Sequence, residues 1–135
     1  MGDADDVRDA PLCGSAATGR TRLFDGSLVP DDSCSIAVGS HEADARELDS
    51  ALIVRAQLVV EDTTVALREA GDLLIPLREG VIDAASLVPM RDIIMGATPV
   101  DHGRPRVFKS SGMAWEDLVI AGEVLRAGLP SSNDP

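Results

Sequence analysis

Ser33-Cys34-Ser35-Ile36-Ala37-Val38-Gly39-Ser40-His41 is the stretch on which the reading of this chain turns. Cys34, Ile36 and Val38 alternate with Ser35 and Ala37, which is the period of a β-strand, and Gly39-Ser40 ends it. A helical pattern follows. Leu48, Ala51, Leu52 and Arg55 fall at i, i+3, i+4 and i+7, predicting a helix over Ala43–Ala56 with Asp44 or Asp49 as its cap. Gln57 to Val60 then reads as a short apolar strand.

Outward from this unit the alternation continues. Asp62 caps a helix running through Ala70, with Gly71 in the place of a C-terminal glycine. Asp72 restarts a helix that ends before Gly80, and Ser86 to Met95 reads as helical but broken by Pro89. Arg106 to Lys109 is a strand, and Ala114 to Ala127 a helix with Glu116 and Asp117 in its first turn, where negative charge suits the dipole. Upstream, Leu12 to Thr18 is a weak strand and Asp25-Gly26 a turn. Residues 1–11 are too acidic to offer an apolar face and are expected to be disordered, and Leu129 to Pro135 is a polar tail. Strands alternating with helices mean an α/β protein with a mainly parallel, doubly wound sheet. Only three or four strands are visible, fewer than such a sheet normally holds, so the sequence reads as part of one.

Composition narrows the function. With only Phe24, Phe108 and Trp115 as aromatics, the core must be aliphatic. A net charge of −11 repels phosphate backbones and anionic lipid, so neither nucleic acid nor membrane is an expected partner. Cys13 and Cys34 form no C-x-x-C pair and have no histidine at ligand spacing, so free thiols in a reducing compartment and no metal site are expected. The acidic start carries neither the basic nor the apolar region of a signal peptide, and a cytoplasmic location follows by default.

Four segments, in order, carry a resemblance. They are Arg22-Leu23-Phe24-Asp25-Gly26-Ser27-Leu28-Val29; Ile36-Ala37-Val38-Gly39-Ser40-His41 with Ala45-Arg46-Glu47-Leu48-Asp49; Val59-Val60-Glu61-Asp62 running into Leu67-Arg68-Glu69-Ala70-Gly71-Asp72; and Val107-Phe108-Lys109-Ser110-Ser111-Gly112-Met113-Ala114 with Glu116-Asp117-Leu118. Together they resemble the C-terminal half of the ornithine cyclodeaminase/mu-crystallin family, over roughly Leu12 to Gly128. The resemblance implies a partial Rossmann-type fold: residues 12–112 as the second half of an NAD(P)-binding domain, and residues 113–129 as a helix returning to a substrate and dimerisation domain. It implies NAD(P)-linked chemistry on a small amino or imino acid, whether cyclodeamination, amino-acid dehydrogenation or ketimine reduction. The implied partners are a second copy in a homodimer, or the N-terminal half that is missing here.

The G-x-G-x-x-G loop that seats a dinucleotide's diphosphate on a helix N-terminus does not occur in these residues. NAD or NADP is therefore expected in the intact enzyme, with no tight binding and no catalysis by this chain alone. By resemblance Val38, Gly39 and Ser40, at the carboxyl end of a parallel strand, and Lys109, Ser110, Ser111 and Gly112, before the last helix, face the cofactor. Gly39 is expected to admit the nicotinamide ring, and backbone N–H groups near Gly112 to meet a carboxamide or carboxylate. His41 stands where cyclodeaminases carry an aspartate. It can serve as acid or base, or be a solvated loop residue, and the departure points toward a dehydrogenase or reductase. Ser15-Ala16-Ala17-Thr18 aligns loosely with a strand end near the cofactor, whereas Arg46-Glu47 reads as a structural pair or cap. Two other functions stay open: a standalone binding module or half of a split enzyme, and an unrelated small α/β domain. The helix from Ala114 should leave an apolar face uncovered.

Overall fold

Five short strands form one wholly parallel sheet in the structure, a computed structural model that describes residues 4–17 and 20–128. The strands are β1 (Leu12–Ser15), β2 (Cys34–Ala37), β3 (Gln57–Val60), β4 (Leu87–Pro89) and β5 (Arg106–Lys109). The helices are α1 (Ser50–Arg55), α2 (Thr63–Glu69), α3 (Gly71–Arg78), α4 (Met90–Ile94) and α5 (Ala114–Gly128). The order across the sheet is β1-β2-β5-β3-β4, so β5 joins two strand pairs that precede it in the chain. Ile36 pairs with Phe108, which pairs with Val59, and Val59 with Val88.

That register sorts the side chains. Ala37, Leu58, Val60, Leu87 and Val107 share a buried core with Leu52 and Ile53 of α1, Ala66 of α2 and Leu73 of α3. On the opposite face Ile36, Phe108, Val59 and Val88 are only half-buried and lie outside that core. A parallel sheet ordinarily buries both faces; here helices cover one. α5 covers neither: Trp115, Leu118, Val119, Ile120, Val124 and Leu125 are all exposed.

The strands expected at Cys34, Gln57 and Arg106 stand as read, and five strands replace the expected three or four. The extra one, β4, occupies the stretch expected to be helix from Ser86. Leu87 and Val88 take the free edge of β3, and Pro89 ends the edge strand where its missing N–H costs nothing. The helix expected from Ala43 begins only at Ser50. The Asp72 carboxylate accepts the N–H groups of Glu47 and Leu48, at 2.7 and 2.8 Å, which a helix would have turned to its own carbonyls. Asp49 then caps α1 by accepting from Leu52 N at 3.1 Å. Gly71 is not a left-handed C-cap but the first residue of α3. A Cβ there would overlap the carbonyl oxygens of Ala45 and Glu42. The start of the chain, expected to be disordered, forms a 3-10 helix over Ala4–Asp9 that places Val7 in the core with Phe24 and Val29. Thr18 and the tail from Leu129 lie outside the described residues.

Candidate site at the carboxyl edge of the sheet

Because every strand runs the same way, the turns after β1, β2, β3 and β5 meet on one edge. This is the edge where open α/β sheets hold ligands. Val38 N donates to Ser15 O at 2.9 Å and Ser110 N to Ala37 O at 3.1 Å, so the turns after β1, β2 and β5 lie side by side. Val38 and His41 are exposed there, Gly39 and Ser110 are half-buried, and Ser40 is buried.

Beneath the edge lies a charged network that the sequence reading did not find. Glu47 is fully buried. Its Oε1 accepts from Ala17 N at 2.6 Å, and its Oε2 from Gly39 N at 2.8 Å and Ser40 N at 3.2 Å. Lys109, also buried, points inward rather than to the rim. Its Nζ donates to Ala37 O at 3.3 Å and to Ser40 O, and lies 3.6 Å from Asp72 Oδ2. Burial pushes the Asp72 carboxyl above its ordinary range, while the N–H of Leu48 and the Lys109 ammonium pull it back. Among the described residues Asp72 Oδ2 has no hydrogen-bond partner.

The geometry changes the part read for two glycines. A Cβ on Gly39 would strike Ala17 and the Glu47 carboxylate, so this glycine allows two turns of the chain to approach each other. Gly112 has φ +74° with open space where a Cβ would sit, so there glycine is needed for the backbone conformation. The N–H groups of Ser111 and Gly112, expected to be free for a ligand, donate to Glu61 Oε2 at 3.2 and 3.1 Å. Met113 N donates to Glu116 Oε2 at 3.2 Å, a cap on α5. A crevice too tight for a water molecule runs beside this turn, between Glu61, Asp62, Val65, Ala66, Lys109 and Ser111. Among the described residues no cluster of His, Cys, Asp or Glu could hold a metal ion, and no helix is long and apolar enough to cross a membrane.

One signal for the network was in the sequence. In β5, Val107 and Lys109 share a face, so a lysine on the buried side demanded an acid opposite. Nothing local singled out Glu61, because its partners lie about 50 residues away across the sheet.

A parallel sheet in the order seen here, with its turns gathered on the carboxyl edge, places the chain in the Rossmann-type α/β class. Its sequence goes further: the ornithine cyclodeaminase/mu-crystallin family model matches residues 5–127, and the chain belongs to that family. It is 34% identical over 123 residues to a Δ1-pyrroline-2-carboxylate reductase of Colwellia psychrerythraea, covering 89% of this chain and 39% of the relative. It is 41% identical over 85 residues to the mouse ketimine reductase mu-crystallin, covering 63% of this chain and 25% of that protein. Among solved structures, Thermococcus litoralis Δ1-pyrroline-2-carboxylate reductase in complex with NADH and L-proline superposes with a TM-score of 0.85 at 29% identity, over 96% of this chain and 42% of the reductase. The chain thus spans well under half the length of these relatives.

Proposed function

We propose that the chain forms the nicotinamide-facing part of an NAD(P)-linked reductase acting on a small cyclic imino acid, such as the pyrroline carboxylate that names several relatives. The observation that carries this reading is the clustering of Val38–His41 and Ser110–Gly112 on one edge of a parallel sheet, in a chain so similar to such reductases. The residues present fit the nicotinamide end of the cofactor. A neutral carboxamide both donates and accepts: its NH2 can donate to the Glu61 carboxylate, and its oxygen can take the N–H groups of Ser111 and Gly112 in exchange for their bonds to Glu61. They do not fit the diphosphate, since no G-x-G-x-x-G loop occurs in the sequence. When bound, a reduced nicotinamide supplies hydride. The chain's own part is to orient the carboxamide through Ser110–Gly112, to line the ring with Val38–Ser40, and to hold a proton on the exposed imidazole of His41 for the substrate nitrogen. The diphosphate seat and the substrate's carboxylate site come from the rest of the enzyme. The bare apolar side of α5 is the surface that meets that portion, or a second copy. Two free cysteines fit work in a reducing cytoplasm.

Amide NMR of the chain tests this with nicotinamide mononucleotide, which lacks the second half of the dinucleotide, and with ribose 5-phosphate, which lacks the ring. The expected result is shifts confined to Val38–His41 and Ser110–Gly112 with the mononucleotide alone. Shifts elsewhere, or equal shifts with both compounds, overturn the reading. NADPH at micromolar concentration should give no saturable quenching of Trp115.

A further inference from the structure

The turn after β2 is held by its hydrogen-bonding groups of both polarities. Its N–H groups, on Gly39 and Ser40, go to the Glu47 carboxylate, and its carbonyls, on Ala37 and Ser40, go to the Lys109 ammonium. The other Glu47 oxygen takes Ala17 N from the turn after β1, and Gly39 has no Cβ because that approach leaves no room for one. Glu47 is itself held by its own backbone N–H, which Asp72 accepts at 2.7 Å, and Asp72 faces Lys109. Three charged side chains, all inaccessible to solvent, thus close a loop through the backbone of two turns. A buried carboxylate is costly unless several donors satisfy it, and here three backbone N–H groups do so.

We propose that Glu47 is the positioning residue of the carboxyl edge: its carboxylate locks the turn after β2 against the turn after β1 and so sets the surface that receives the nicotinamide end. The role at the surface rests on the function proposed above; the locking does not. Both carboxylate oxygens are needed as acceptors, each for a different turn. Glutamine has nearly the same shape but one acceptor oxygen, and its amide nitrogen must confront an N–H donor. Glu47→Gln therefore releases one turn and keeps the other.

The test is amide hydrogen exchange in Glu47→Gln, with Leu48→Ala as a control that weakens the neighbouring core but spares these hydrogen bonds. In Glu47→Gln, either Ala17 or the Gly39 and Ser40 pair should exchange about tenfold faster or more than in the control, as loss of a charge-assisted hydrogen bond implies. Unchanged protection of all three amides overturns the proposal. Should the variant fail to fold, the wild-type chain decides. Scalar couplings through the hydrogen bonds, from the Glu47 carboxyl carbon to the amide nitrogens of Ala17 and Gly39, are expected, and their absence refutes the lock. Titration with nicotinamide mononucleotide separates the two claims. Glu47→Gln should weaken the response at Val38–Ser40 about tenfold by the same bond energy. A wild-type chain that gives no response defeats the nicotinamide reading, and exchange and couplings still decide the lock.

Discussion

Replacing Lys109 with methionine isolates what the buried cation does. Methionine keeps most of the apolar stem, so the cavity left is small, but Ser40 O loses a donor, Asp72 Oδ2 its counter-charge, and Ala37 O the weaker of its two donors. Lys109 and Asp72 both have side chains with no solvent exposure, so water cannot take over. Removing one partner of such a pair costs about 3–5 kcal/mol. That is a large share of the roughly 5–15 kcal/mol that holds a domain of this size together. The cost should depend on pH. Burial already raises the Asp72 carboxyl, and Lys109 is among the groups that oppose this. A carboxyl raised in the folded state contributes stability that is complete below its unfolded value and is lost as pH rises through the folded one. Without Lys109 the folded value climbs further, so the gap between wild type and Lys109→Met is constant at low pH and should widen only as pH rises through the wild-type folded value, itself above the ordinary carboxyl range, by at most ~1.4 kcal/mol per pH unit. Urea denaturation followed by far-UV circular dichroism at pH 5 and pH 7 measures this; Trp115 is too exposed to report the core. A loss below ~1 kcal/mol at pH 7, or a gap that narrows from pH 5 to pH 7, refutes the assignment of Lys109 as the neutralising partner of Asp72.

Two further substitutions probe the frame around the site. Gly71→Ala drives a Cβ into the backbone carbonyls of Ala45 and Glu42, which cannot swing aside as a side chain would. Even after alanine's better helix propensity, thermal melting should show a loss of about 1–3 kcal/mol, and a stabilised variant would contradict the close approach. Leu118→Ala and Leu125→Ala on the bare side of α5 should each change stability by no more than ~0.5 kcal/mol, because neither side chain is buried; a loss of several kcal/mol in urea would show that α5 packs on this chain.

Much of the fold is legible along the chain because period and punctuation are local. The alternation through Ile36, the apolar run at Gln57 and the caps Asp49 and Asp62 lie within a few residues of what they control. What escapes is whatever distant groups decide. Ala43–Asp49 carries helical spacing yet stays irregular, since Asp72, 25 residues on, captures the N–H of Glu47. Leu87–Pro89 looks like a broken helix and becomes a strand because β3 has a free edge to fill. Val7 is a lone apolar residue in an acidic stretch, and only the pocket it meets, with Phe24 and Val29, makes it core. At the site, the positions of Val38–His41 and Ser110–Gly112 follow from strand direction, which a sequence pattern yields. The partners that hold them, Glu47, Asp72 and Glu61, follow from side-chain direction across the sheet, which it does not.

The place of β5 has a consequence for how the polypeptide acquires its shape. The strand that unites the sheet is the last of the five to be synthesised, and without it the β1–β2 and β3–β4 pairs share no neighbour. Any chain lacking β5 would leave an inner edge of β2 and of β3 unpaired, the kind of edge that invites aggregation. The pairings that close the sheet are therefore of long sequence reach, β5 meeting β2 about 70 residues upstream. A chain ending before residue 106 would lack Lys109 and the Ser110–Gly112 turn, and so the middle of the carboxyl edge.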